Sequence, residues 1–249
     1  MIWDPITLKQ EDELRAATNS CLAANKKTPT IALRVAGVDI VLFAIFLFWA
    51  HTSTLTSDVI WDISIFLLFI PIMCLAAWVQ SNDNVTFMTV RLAHGWDVIT
   101  NPDKQRFRDL NAKYNFLIPR DTLKRGEGAY VCRNEIWGKA SQTSFFSCQI
   151  DYACGGNRIT AAESRQLLFV KLPAPQKSIK TDGDFDISIL SSAAQAAWND
   201  LTAQCGKTKF IIENDLAAIS TLTGFLKLGT PEKIEEVCVK ILALAAALV

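Results

Sequence analysis

The sequence predicts a membrane protein in which a transmembrane helical hairpin carries a cytoplasmic α+β domain with a largely antiparallel sheet and a C-terminal helix. Three observations predict it. Half of the 249 residues are hydrophobic against 20% charged, and much of that excess sits in two blocks between Val35 and Val79. The segment joining those blocks is short and polar. The chain after them mixes period-two alternation with helical periodicity, and its strand signals come in runs instead of alternating with helices.

Residues 1–30 are expected to form a cytoplasmic amphipathic helix. Asp4 caps it and Pro5 takes the first helical position, where a missing amide hydrogen costs nothing. Ile6, Leu14, Ala17, Cys21 and Leu22 form a modest apolar stripe that runs to about Asn25, with Lys26, Lys27 and Pro29 ending the helix. The stripe suits docking on the protein's own domain, on the membrane surface or on a second copy.

Residues 31–79 read as two spans, about 31–50 and 59–79, with an outside loop at 51–58. Val35 to Ala50 gives roughly 24 Å of helix, lengthened by Ile31 to Arg34, and Val59 to Val79 gives roughly 32 Å, against a hydrocarbon core of ~30 Å. The eight residues HTSTLTSD can only join antiparallel helices, so both chain ends lie on one side. Arg15, Lys26, Lys27 and Arg34 precede the first span, and Arg91, Lys104, Arg106 and Arg108 follow the second. The loop has neither Lys nor Arg, so both termini are expected to be cytoplasmic at the inner (plasma) membrane. The acidic triplet Glu11 to Glu13 is unlike the basic start of a cleaved signal, so the first span is expected to stay attached. Trp49, Trp61 and Trp78 suit the interfaces, and Pro71 should kink the second span. Asp39 and Asp62 fall inside the apolar blocks. Their ordinary reading is an interfacial or interhelical polar contact, and the alternative is an ion or proton pathway.

Residues 80–249 are read as one α+β domain. Asn101-Pro102 opens a helix to about Lys113, Ser192 opens one over about Ala193 to Gln204, and Thr230-Pro231 opens the last. That last helix carries Glu232, Glu235 and Glu236 near its positive end, and Ile234, Val237, Cys238, Ile241, Leu242, Ala245 and Leu248 recur at helical spacing. Its final run, ILALAAALV, is too short to span and should dock on the core. Phe146, Cys148, Ile150 and Tyr152 alternate with Ser147, Gln149 and Asp151. Gly155-Gly156-Asn157 then supplies a tight turn towards a returning strand at Leu167 to Leu172. Further strands are expected at Tyr130 to Trp137, Phe185 to Leu190, Lys209 to Ile212 and Leu216 to Leu222, with Glu213-Asn214-Asp215 as the turn between the last two.

Chemistry is harder to find. Lys plus Arg equals Asp plus Glu at 25 each, so no basic field favours nucleic acid. The seven cysteines include no CxxC pair, which leaves neither a zinc knuckle nor a disulfide framework. Cys154, in DYACGGNR, adjoins a turn where Arg158 would stabilise a thiolate, and Asp151 lies close by in sequence. The only histidines, His51 and His94, are not near them in sequence, so a nucleophilic pair is not favoured. Asp182, Asp184 and Asp186 begin like a calcium loop, but Gly183 and Ala193 stand where the loop needs other residues, and a solvated turn is favoured. No phosphate-binding glycine loop and no HExxH motif is present, so no cofactor and no metal are expected. The basic stretch from Lys104 to Arg125 is diluted by Asp103, Asp109 and Asp121, which favours a solvated face over a lipid site.

The hairpin followed by AHGWDV at Ala93 to Val98, NAKYNF at Asn111 to Phe116, the Asp151-Tyr152 pair, Leu172-Pro173 and a closing Thr-Pro-Glu helix resembles an uncharacterised family of bacterial two-span membrane proteins. The resemblance implies the architecture, with Trp96 and Tyr152 as core residues, and implies no activity. From the residues alone, the leading expectation is a membrane-anchored cytoplasmic module that binds or scaffolds a protein partner. The alternatives are a membrane-active oligomer, in which hairpins assemble around Asp39 and Asp62, and an enzyme acting at the membrane surface. The expected partners are the lipid bilayer and another protein or a second copy of the chain. Asp39, Asp62, Asp151, Cys154 and Arg158 are the candidate site residues.

Overall fold

The computed structural model describes residues 11–52, 57–100, 108, 112–114, 116–117, 130–154, 161–182, 188, 190–205, 208–222 and 230–248. The chain forms two compact units, one of Ala16–Val90 and one combining Met1–Arg15 with Arg91–Val249.

The first unit is built from α1 (Glu11–Thr52) and α2 (Ser57–Ala93). Along α1, Thr18, Cys21, Asn25, Thr28, Ala32, Ala36, Asp39, Phe43, Phe46 and Ala50 are buried or half-buried; along α2, Ile60, Ile63, Leu67, Ile70, Cys74, Ala77, Ser81, Asn84 and Met88 are. Both rows recur every 3.5 residues on average, the period of a coiled-coil seam. The amide of Asn84 donates to the Asn25 side-chain oxygen across it at 3.1 Å. Outside the seam the apolar residues face outward: Ile31, Ile40, Phe48, Trp61, Phe66 and Ile72 are all more than half exposed.

The expected helix end at Lys26, Lys27 and Pro29 is corrected. α1 runs unbroken through all three, with Pro29 inside it. An internal proline removes one backbone bond and costs ~3 kcal/mol, but the seam stays in phase on both sides of it, so packing along α2 outweighs the local break. Pro71 is likewise internal to α2.

In the second unit, α2 ends in a Schellman cap. The Trp96 amide donates to the Arg91 carbonyl at 3.0 Å and the Gly95 amide to the Leu92 carbonyl at 2.9 Å, with Gly95 at φ +76°. The chain then enters a five-stranded antiparallel meander in sequence order: β1 (Asp97–Ile99), β2 (Tyr130–Ala140), β3 (Thr143–Cys154), β4 (Ala161–Asp182) and β5 (Thr208–Leu222). Ser141 and Gln142 close β2 onto β3 with both φ values positive, as a two-residue primed turn requires. α3 (Ser192–Cys205) and α4 (Pro231–Ala247) begin where the sequence placed them. Ile234, Val237, Cys238, Ile241 and Leu244 bury the apolar stripe of α4. A second cluster, with Leu14, Tyr114, Trp137, Phe146, Cys148, Ile150, Leu167 and Phe169, holds the even-numbered face of β3.

Two strand expectations are corrected. Glu213-Asn214-Asp215 is no turn: β5 is continuous, and Asn214 takes φ +55° beside a register shift against β4. β4 does not stop at Leu172 but continues through Pro173 and Pro175 to Asp182. The prolines are tolerated because β3 stops pairing at Val170 and the β5 ladder skips from Lys171 to Gln176. Of the expected strand at 185–190, Ser188 and Leu190 are described and neither is in a strand. Most of the expected helix at 101–113, and the turn at 155–157, lie outside the described residues.

Candidate functional site

Asp39 lies in the α1 seam, 4% exposed, and its Oδ2 has no hydrogen-bond partner among the described residues. Asp62 is exposed on α2, so the seam does not gather both acids. Asp151 sits on β3, where its carboxylate takes the Arg133 guanidinium at 3.2 Å, the Gln149 amide at 2.7 Å and the Ser164 hydroxyl. Asn134 donates to Gln149 at 3.2 Å and extends this network across the sheet. The Asp151 carboxylate is thus occupied by Arg133. Cys154 ends β3 with its side chain outside the description, and Arg158 lies outside the described residues.

A cleft of about 500 Å³ in the second unit was not among the sequence candidates. It is lined by the start of α1 (Asp12, Leu14, Arg15), the turn from His94 to Asp97, and the β2–β3 hairpin (Trp137, Gly138, Lys139, Ser144, Phe145). Its construction follows from Gly95 and Gly138. Gly95 turns the chain so that Trp96 folds back along β2, which has no β1 partner beyond Trp137. There the indole replaces a strand: its N–H donates to the Lys139 carbonyl at 3.1 Å, and its ring meets Phe145 edge-on at 4.9 Å. Gly138 leaves the room, since a Cβ there would stand 2.3 Å from Trp96 Cδ1.

Charges of both signs surround this aromatic floor. Arg15 bridges to Asp97 at 2.9 Å and reaches the Gly95 carbonyl at 3.5 Å, which ties the start of α1 to the first strand. Asp12, His94 and Lys139 are exposed at the rim. Behind His94, burial lowers the Arg91 guanidinium to about 10 while Glu232 opposes the shift, so Arg91 stays charged at neutral pH. Glu232 is held below the usual carboxylate range by its own backbone amide, by Thr230 and by the His94 and Arg91 charges. The lining offers one imidazole and one hydroxyl, at His94 and Ser144, and no thiol. Its volume falls in the range of ligand-binding clefts, and its chemistry suits recognition through mixed charge. Among the described residues no group of three or more His, Cys, Asp or Glu could hold a metal ion.

No family model, curated protein or solved structure matches this chain. The geometry therefore carries the functional argument alone. The sequence signal that could have found the cleft is the pair of glycines, Gly95 after a helix and Gly138 inside an aromatic strand.

Proposed function

We propose that this is an integral membrane protein whose hairpin anchors a cytoplasmic domain that binds or scaffolds a protein partner through the Trp96–Lys139 cleft. The observation that carries the anchor is the apolar belt on α1 and α2. Two helices have 18-residue stretches of mean hydropathy 2.4 of which only 11% and 0% are buried. In water that surface would cost ~25 cal/mol per Å², and monomeric soluble proteins rarely leave such a patch open. Lipid removes the cost, and the Lys and Arg distribution favours cytoplasmic termini. The mixed-charge cleft on an aromatic floor supports the binding role.

The test uses the full chain in native membranes. Alkaline carbonate should leave it in the pellet, and crosslinking followed by detergent purification should recover a specific partner whose yield falls with Lys139→Glu. Extraction by carbonate would end the anchor reading. Recovery indifferent to Lys139 would end the assignment to the cleft. A second reading, a membrane-active oligomer, is favoured by the unpartnered carboxylate of Asp39, and self-crosslinks alone would support it.

A further inference from the structure

The seam is underfilled at one level. Ala32, Ala36, Cys74 and Ala77 place small side chains at neighbouring seam positions, between the Asn25–Asn84 contact on one side and Phe43, Phe46, Ile63 and Leu67 on the other. A groove opens there on each flank. The larger, about 340 Å³, is walled by Thr28, Ile31 and Val35 of α1 and by Phe69, Ile70 and Ala77 of α2. The smaller, about 310 Å³, is walled by Leu33, Pro71 and Leu75, and Ala32 and Cys74 line both. The larger groove is apolar: Thr28 spends its hydroxyl on the Ala24 carbonyl at 3.1 Å, and Cys74 is its other polar side chain. One end of this groove is basic. Lys27 directly precedes Thr28 and stands four residues before Ile31, on the same face of α1, and a lysine stem can follow an apolar wall while its ammonium leaves it. Lys26 and Lys27 are exposed, and α1 has no acidic residue from Leu14 to Val38. Asp83, exposed on α2 next to Asn84, pairs with neither lysine.

These features select the occupant. Phe69 to Ala77 is roughly 12 Å of helix rise, a fraction of a ~30 Å span. A partner helix packs about 8–10 Å away, axis to axis, and would reach the groove floor only with single side chains. A second copy inserts with the same end towards the cytoplasm, so it would set its own Lys26 and Lys27 against these two at one level, which like charge opposes. An unbranched acyl chain fills a narrow apolar groove along its length. The phosphate that tops such a chain in a phospholipid is the counter-charge that Lys27 lacks among the described residues.

We propose that the larger groove is a binding site for an anionic phospholipid, with an acyl chain lying along Ala32 and Cys74 and the headgroup phosphate paired with Lys27. The proposal rests on the reading of the two helices as membrane-spanning, with their basic ends cytoplasmic.

The full chain is purified in a mild non-ionic detergent and titrated with phosphatidylglycerol or with phosphatidylcholine of the same acyl chains, and bound lipid is counted by native mass spectrometry. The wild-type chain should hold phosphatidylglycerol about fivefold more tightly than phosphatidylcholine, the worth of one lysine at headgroup level, and Lys27→Gln should bring the two together. Val35→Trp fills the groove from an exposed wall and should lose both lipids. Val41→Trp adds the same bulk on the face away from the seam, at a residue 58% exposed, and should lose neither. Both variants should keep the wild-type helix content by far-ultraviolet circular dichroism, and Ala77→Leu repeats the filling from α2 if Val35→Trp does not. Equal affinity of the wild-type chain for the two headgroups, or equal lipid retention by the two tryptophan variants, overturns the proposal, since either describes the general lipid belt. A dimer that forms as lipid is removed, and that Val35→Trp abolishes, overturns it in favour of a second copy. Carbonate extraction of the same variants from membranes reports the spanning reading separately.

Discussion

Gly138→Ala tests how the cleft is built. The added methyl would stand 2.3 Å from Trp96 Cδ1, 2.6 Å from Cγ and 2.8 Å from Nε1. None of these atoms is the free end of a flexible chain: the indole is 1% exposed and braced by Phe145 at 4.9 Å. The ring must therefore move by most of an ångström, which costs ~1–3 kcal/mol as overpacking. The same movement breaks the 3.1 Å bond to the Lys139 carbonyl, worth ~1 kcal/mol. Together these give a destabilisation of about 2–4 kcal/mol, or a fall in Tm of roughly 5–12 °C for a chain of this size. The assay is thermal unfolding of the detergent-solubilised full chain, followed by near-ultraviolet circular dichroism. A double-mutant cycle isolates the cause. In a Trp96→Ala background the methyl meets no ring, so Gly138→Ala should cost less than about 0.5 kcal/mol there. A wild-type Tm for Gly138→Ala, or an equal penalty in both backgrounds, would refute the reasoning.

Three other outcomes follow from the packing and ion pairs of the fold. Asn25→Ala leaves Asn84 without its seam partner and should lower Tm by an amount equivalent to ~1 kcal/mol; Asn25→Leu with Asn84→Leu should instead be neutral or stabilising, read in the same melts. Asp215 is held below its ordinary carboxylate range chiefly by the Lys171 hydrogen bond, at 2.7 Å. Its contribution is therefore present above the unfolded value and lost as pH falls through the folded one. Lys171→Met should flatten the acid limb below about pH 4 in a pH series of melts, and an unchanged limb contradicts the assignment. Burial pushes the thiols of Cys205 and Cys238 up to about 12. Neither should react with iodoacetamide at pH 8 in the native protein; labelling at the rate of a free thiol, measured on tryptic peptides, would count against the described α3–α4 core.

Elements whose local signals agree with their packing could be read from the sequence, and the exceptions have physical causes. Proline at the first position of α4 and alternation along β3 survived unchanged because burial rewards the same residues that propensity selects. Pro29 misled because a proline states only a local cost, whereas a seam shared with a partner helix is spread over about eight to nine turns. Asn214 misled because a positive φ suits a turn and a strand irregularity equally, and only the β4 register distinguishes them. Ser147 alternates with the apolar residues of β3, yet it is fully buried, its hydroxyl donating to the Leu167 carbonyl at 3.0 Å. Alternation says which residues share a face and not what covers it.

The candidate sites divide in the same way. Asp39 was legible because a charge in an apolar block stands out against composition, and its depth in the seam now separates it from Asp62, which the same criterion could not do. The cleft was not legible. Its lining comes from three segments far apart in the chain, and its enabling residue, Gly138, contributes no side chain at all. Trp96 was read as core, which is right for its ring and incomplete for its N–H, because the bond to Lys139 both completes the edge of β2 and sets where the lysine emerges at the rim. A change at Trp96 should therefore alter recognition and stability together, whereas Lys139→Glu, exposed and outside the core, should alter recognition alone. That difference separates a binding surface from a structural one at a single hydrogen bond.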